Sequence, residues 1–550
     1  MITNKYITKI IIVIVMAAVA VCIAAIIFSE RIVEAAGGFG IAMEYGSKLF
    51  SDDKMMTVDI SIEPDTWDEM LKNAMSETYY SCDVKINGTN LYNVGIRPKG
   101  NTSLSAIASD PDTDRYSFKL EFDQYVDGQT CFGLDKLILN NNYADATNMK
   151  EAVVYDMYHY LGADASLANY AKVSVNGEYW GIYLALEAVE DSFMLRNYGS
   201  QNGELYKPES MGKGNEPEKM EDNSSEKDNF APPQPPEGAP EMPNGEKDAG
   251  APEMPEGTER AGVPEMPADM EKAGFPEDFE KNGGGRFQRD DHGLRENGGH
   301  SMGGKGADLN YSDDNMDSYS TIWEGAVTNT KEKDHKKVVT ALKHIGEGTE
   351  LETYLDMDNI LKYMAVHTFV VNMDSLTGNM AHNYYLYESD GQLNLLPWDY
   401  NLAFGGMAKG NSSASEMINF PVDTPFSGTQ FFDKVLENSQ YLEKYHAYLK
   451  QLCEKYVKGG GFEAYYQKVR NQIDSLVKTD PTAFYTYEEY TAGAEMLYET
   501  VLLRADSILG QLEGTIPSTK DGQTENPDAL VDSSGIDVKV MGVMEMGGKM

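Results

Sequence analysis

Positive charge is scarce in this sequence. Its 46 lysines and arginines stand against 88 aspartates and glutamates, a formal net charge of -42 over 550 residues. That balance excludes a nucleic-acid partner, because phosphate binding needs a clustered basic surface. Cysteine is scarcer still. Of the four cysteines, Cys22 lies in an apolar run and Cys82, Cys131 and Cys453 are scattered. They form neither a disulfide framework nor a CxxC metal knuckle, and buried free thiols are expected. The histidines His335, His344, His367 and His382 lack HxxxH or HExxH spacing, which disfavours a zinc hydrolase. A Gly-x-Ser-x-Gly nucleophile elbow is missing, and so is a Gly-x-Gly-x-x-Gly loop in the first half of the chain.

Long apolar runs are rare as well, with one exception. Residues 10–28, IIIVIVMAAVAVCIAAIIF, are 19 uncharged apolar positions, close to the ~20 that span a bilayer. Lys5 and Lys9 precede the run; Glu30, Arg31 and Glu34 follow it. The positive N-terminal flank predicts a single-pass membrane protein with a cytoplasmic N-terminus and an extracytoplasmic domain, the helix supplying the membrane contact. The small residues of VEAAGG offer the alternative of a cleaved signal and a secreted chain. Residues 1–35 form this anchor or signal segment.

At 550 residues the chain exceeds one typical domain. Composition shifts at Pro208 and recovers near Asp308. Between them, prolines at Pro240, Pro252, Pro264 and Pro276 mark a 12-residue repeat, APEMPEGTERAG in one copy. Frequent proline, glycine and charge prevent a packed core, so 208–307 reads as a disordered acidic insertion. Residues 513–550 read as a low-complexity tail. Before the insertion, 55–207 is mostly strands. Val58, Ile60 and Ile62 alternate, as do Tyr116, Phe118, Leu120 and Phe122, and Asn87-Gly88 and Asn176-Gly177 mark hairpins. One helix follows Thr147, with Met149, Val153, Met157 and Leu161 four apart and Gly162 as its stop. After the insertion, 308–512 is dominated by helical spacing, interrupted by one hairpin, YYLYESDGQLNLLPW.

That hairpin carries the chemistry. Asp374, in MDSLTGNMAHN, follows a helical run, and Asp399, in LPWDYNLAFGG, follows the second strand, so the hairpin returns both carboxylates to one end. One carboxylate can accept a proton from an attacking hydroxyl while the other holds a divalent metal on a phosphate. Asn379 and Asn383 lie between them, and amide oxygens can complete a Mg²⁺ shell without adding charge.

The segments GIRPKGNTS, YSFKLEFD, LILNNNYADATNMKEAVVYDMYHYLG, YAKVSVNGEYWGIYLALEAVEDSF, ELYKPE, MDSLTGNMAHNYYLY and LLPWDYNLAFG, in this order, resemble the spore coat protein H (CotH) kinase family. The resemblance implies an α+β, atypical protein-kinase-like two-lobed fold, with a mixed β-rich N-lobe at 55–207 and a helical C-lobe at 308–512. It implies ATP and Mg²⁺, and transfer of the γ-phosphate to Ser or Thr of a protein substrate in the cell envelope or spore coat. Asp374 would be the catalytic aspartate and Asp399 a metal ligand, with Asn383 or Asn379 as the second. Lys119 and Glu151 fit the strand lysine and helix glutamate that such a fold pairs over the phosphates. Arg97 and Lys99, with Gly100 and Asn101, stand where a phosphate-facing loop is needed, Glu187 where the adenine hinge is expected, and Lys207 is a further candidate.

Departures from the family pattern are few and local. Asn372 stands two residues before Asp374, so no His-Arg-Asp signature exists, and Asn401 replaces an acid common after the metal aspartate. Export of an ATP-using domain favours the alternative of a non-catalytic surface or envelope assembly protein that keeps the fold.

Overall fold

A computed structural model describes residues 40–51, 54–209, 304–378, 380–407, 414–426 and 428–544. The N-terminal strands are β1 (Met56–Ser61), β2 (Tyr80–Ile86), β3 (Thr89–Lys99), β4 (Ser117–Glu121), β5 (Lys136–Asn140), β6 (Ala168–Val175) and β7 (Glu178–Glu187). They close into a barrel of order β1-β2-β3-β4-β5-β7-β6. All neighbours run antiparallel except β1 and β6, whose parallel pairing, Met56 with Ala171 through Ile60 with Val175, shuts the ring. Asn87-Gly88 and Asn176-Gly177 have positive φ at both positions, the geometry a two-residue hairpin on a twisted ladder demands.

Strand alternation divides the barrel into two faces. Val58, Ile60, Phe118, Leu120, Leu137, Leu139, Val173 and Ala185 fill the interior. Helix α1 (Pro64–Lys72) lays Trp67, Met70 and Leu71 against this cluster. Ile138, Ile182, Leu184 and Leu186 turn outward and join a second, larger core. That core is built on α2 (Lys150–Leu161), α3 (Glu332–Glu347), α4 (Met357–Val370), α5 (Ser439–Gln451), α6 (Gly461–Val477) and α7 (Tyr487–Leu512).

Helix α2 starts where Asp145 accepts from the backbone of Thr147 and Lys150, at 2.9 and 3.0 Å, and stops at Gly162, whose φ of 68° suits a residue without Cβ. Helix α4 is buried along almost its whole length. Its last carbonyls, which no intrahelical donor reaches, are taken by the buried Arg504 of α7: Thr368 O at 2.9 Å and Phe369 O at 3.2 Å. A three-stranded sheet, β10 (Gln392–Pro397), β9 (Tyr384–Ser389) and β8 (Glu204–Tyr206), lies beside α4.

Two expectations are corrected here. The kinase-like two-lobed fold does not form: the N-terminal strands make a closed seven-stranded barrel, and the described barrel and helices fall within one compact unit. Closure depends on the β1–β6 pairing, which joins segments more than a hundred residues apart and leaves no signal in local alternation. The membrane anchor is also not found: among the described residues no helix is long and apolar enough to cross a membrane. Residues 10–28, on which the single-pass placement rested, lie outside the described residues, as does nearly all of 208–307.

The segment after Gly514 is docked where the sequence suggested low complexity. Ile516, Ile536, Val538 and Met541 are buried. Ala146 N donates to Met541 O at 3.1 Å, Lys150 Nζ to Gly542 O at 2.6 Å, and Met544 N to Gly406 O at 2.9 Å. Single apolar anchors separated by turns carry no period, so pattern reading passes over them.

Candidate active site

The β9–β10 hairpin turns at Asp390-Gly391, both with positive φ, and pairs Tyr384 with Pro397 at its far end. Asn383 directly precedes Tyr384 and Asp399 comes two residues after Pro397, so both emerge at that end. Strand β8 pairs Tyr206 with Leu386, which delivers Lys207 to the same end. Helix α4 supplies Asp374 four residues after its last residue. Four segments therefore converge on one place.

The two aspartates share a clamp. Asn372 Oδ1 accepts from Asp374 N at 3.2 Å, and Asn372 Nδ2 donates to Asp399 O at 3.4 Å. The Asp374 carboxylate is held on both oxygens: His382 Nε2 lies 2.6 Å from Oδ1, and Asn383 Nδ2 donates to Oδ2 at 3.0 Å and to Asp374 O at 2.9 Å. The Asp399 carboxylate accepts no hydrogen bond among the described residues. Burial raises its pKa, Lys99 opposes that, and the Asp374 charge adds to it. A carboxylate held up by burial and by a like charge gains from a cation.

Beneath these loops runs a buried chain of polar groups. His367 of α4 contacts Thr377 Oγ1 at 2.7 Å through Nε2 and Tyr400 OH at 3.1 Å through Nδ1, and Tyr400 OH meets Tyr158 OH at 2.7 Å. The chain ties the Asp374 loop to the residue after Asp399 and to α2. Burial pushes the His367 imidazole down to about 3, so it is neutral and bridges by its two ring nitrogens. Backbone strain gathers here too. Val371, Ala381, Asn383, Asp399 and Phe404 all have φ between 47° and 61°, which side chains with a Cβ adopt only when the surroundings enforce it.

The barrel contributes a polar grid. On its outer face Gly95, Glu121 and Lys136 align across β3, β4 and β5, and Arg97, Lys119 and Ile138 align beside them. Lys119 does not reach Glu151; it donates to Glu190 at 2.7 Å. Lys136 also contacts Glu190, and the two cations hold that carboxyl down to about 2 against the upward push of burial. Arg97 is paired with Glu77 at 2.6 Å. Glu187 is fully buried and accepts from Arg196 at 2.6 and 2.8 Å and from Tyr45 at 2.5 Å, so its carboxylate is spent inside the fold.

Lys99, at the end of β3, is the barrel lysine that approaches the aspartates. Its Nζ donates to Asn140 Oδ1 at 3.1 Å, and Asn140 Nδ2 donates to Glu151 Oε2 at 2.8 Å. Burial lowers the Lys99 pKa, and Asp399 and Glu151 work against that. Glu151 is pushed up to about 7, by burial first and by Asp399 second. Lys99 lies 5.5 Å from the Trp398 ring centroid, and Lys207 lies 5.9 Å from both Trp398 and Tyr385.

Of the residues singled out from the sequence, Asp374, Asp399, Asn383, Lys99 and Glu151 are brought together. Lys119, Glu187 and Arg97 are engaged elsewhere, and Asn379 lies outside the described residues. Asn372, Asn140 and His367 were missed. Asn372 was visible only as the residue standing where a histidine was expected, and Asn140 as the first of three asparagines in LNNNY.

A family model described as CotH kinase protein matches residues 96–241 and 274–508, more than half of the chain. The match spans Lys99, Asn140, Glu151, Asp374 and Asp399. No curated protein matches the chain.

Proposed function

The chain belongs to the CotH kinase protein family, and on that basis we propose that it transfers the γ-phosphoryl group of ATP to a Ser or Thr hydroxyl of a protein substrate. The observation that carries this reading is the pairing of Asp374 and Asp399 through Asn372, with Lys99 beside them. In the proposed reaction Asp374 orients the acceptor hydroxyl and takes its proton as the hydroxyl oxygen bonds to the γ-phosphorus. The bond from that phosphorus to the β–γ bridging oxygen breaks, and ADP leaves with its electron pair. His382 and Asn383 fix the Asp374 carboxylate in one rotamer, which favours a single approach of the hydroxyl. Lys99, braced by Asn140 and Glu151, meets phosphate oxygens as they gain charge.

The donors fit Mg²⁺. Asp399 has an uncommitted carboxylate, and Asn383 spends its Nδ2 on Asp374 while its Oδ1 accepts no hydrogen bond among the described residues. Two side-chain oxygens would leave the other positions of an octahedral ion to phosphates and water. When bound, Mg²⁺ supplies charge neutralisation on the phosphates.

Incubating the purified chain with labelled ATP, Mg²⁺ and casein-type acceptors tests the reading. Label is expected on Ser or Thr, and it is lost in Asp374→Ala and Asp399→Ala. Absence of transfer, or transfer unchanged in both variants, overturns it.

A further inference from the structure

Lys207 has a partner that no phosphate-transfer role requires. Its Nζ lies 2.6 Å from Glu209 Oε1, two residues on, immediately before the described residues stop at 209. The lysine itself is rigidly mounted. Its backbone N donates to Gly325 O at 2.7 Å, and a Cβ on Gly325 would fall 2.3 Å from Lys207 O, so the two strands of chain touch at a point only glycine permits. Its ammonium stands over Tyr385 and Trp398, 5.9 Å from each ring centroid, with Lys99 over the same Trp398 ring.

Charge makes this corner unusual. Burial lowers the Lys99 ammonium and Lys207 adds to that, while Asp399 raises both lysines. Burial alone would lower the Lys207 ammonium, yet Glu209 and Tyr385 hold it above its ordinary value. Without Glu209 the Lys207 ammonium keeps no salt bridge among the described residues, and two half-buried cations stand over one indole, an arrangement that suits a polyphosphate.

We propose that Lys207 and Lys99 form a two-lysine cradle for the polyphosphate of a nucleoside triphosphate, and that Glu209 is an intramolecular anion that occupies Lys207 until the ligand displaces it. The inference rests on the phosphotransfer reading for its biological ligand, while the cradle itself is defined by charge. Glu209 thereby weakens nucleotide binding by competition.

The test is calorimetric titration of the full chain with inorganic tripolyphosphate and Mg²⁺, beside the transfer assay. Glu209→Gln is expected to tighten tripolyphosphate binding about tenfold, the equivalent of freeing one charge-assisted hydrogen bond. Lys207→Met is expected to weaken binding about tenfold, and in the double variant the Glu209→Gln gain disappears. Glu209→Gln is a conservative change at a partly exposed side chain, so that arm stands even if Lys207→Met does not fold. Unchanged or weaker binding in Glu209→Gln overturns the inference. An intact Glu209→Gln gain without any phosphoryl transfer removes the proposed activity and leaves the cradle; intact transfer with no such gain removes the cradle alone.

Discussion

Asp374 and Asp399 hang from a single amide: Asn372 accepts from the backbone of one at 3.2 Å and donates to the backbone of the other at 3.4 Å. Their backbones are therefore tied to one side chain, although 25 positions separate them in the sequence. In the proposed reaction this tie sets where a hydroxyl and a phosphate meet.

Removing that amide should misplace the pair without dismantling the fold. Asn372→Ala is expected to lower the transfer rate about a hundredfold, the scale of a displacement near 1 Å. The stability loss should be ~1–3 kcal/mol, because two buried hydrogen bonds go. Steady-state kinetics and a urea titration measure the two effects; a variant at full rate would show that Asn372 does not set the geometry.

Lys99 and Lys119 should behave differently. Lys99→Ala is expected to raise the KM for ATP at least about tenfold, since a charged contact to phosphate is lost. Lys119→Ala leaves Glu190 with Lys136 alone, and its main effect should be on the melting temperature. The reverse pattern would return the phosphate role to Lys119.

Acid should weaken the fold through His367. Its pKa in the folded state, about 3, is below the ordinary histidine value of ~6.5, so the unfolded chain takes up the proton first. The stabilisation is complete above about pH 6.5 and is lost as pH falls toward 3, at up to ~1.4 kcal/mol per pH unit. Asp135 and Asp164, held up at about 6 by burial first, respond in the opposite sense, which is why the measurement is a difference. Melting curves of the parent and His367→Gln across this range should diverge, the variant having the flatter dependence. Parallel curves would mean that the imidazole already carries its proton.

The barrel and the helices are pinned by a buried ion pair. Arg115 Nη1 lies 2.8 and 2.9 Å from the Asp480 oxygens, and Ile182 N donates to the same carboxylate at 2.9 Å. Asp480→Ala strands a buried guanidinium and should cost about 3–5 kcal/mol, read from the denaturation midpoint. A loss below 1 kcal/mol would show that water satisfies Arg115 instead.

The sequence made Asp374 and Asp399 readable because a hairpin of known turn type fixes where its two ends lie. The sequence pattern puts Lys119 in the strand-lysine role and Lys99 in the phosphate-facing turn, and local alternation cannot tell which of them nears Glu151. Both project from the same outer barrel face, since Arg97 pairs with Lys119 and Lys99 with Ser117, and only the position of α2 over Asn140 decides which one meets Glu151. Glu187 does close a strand, as read, but nothing local announces that Arg196 will bury with it. Barrel closure was invisible for the same cause, being a property of β1 and β6 together and of neither alone.

Lys150 and Gly542, joined at 2.6 Å, stand 392 positions apart. The lysine is wholly buried, and burial lowers its pKa to about 8 against the pull of Asp145. A chain emerging from a ribosome presents α2 long before it presents the carbonyl that receives this ammonium. Until then the helix carrying Glu151 has a charged group with one of its two partners missing. Assembly of the corner proposed for catalysis therefore includes a contact that only a nearly full-length chain can make, and contacts between such distant segments close slowly.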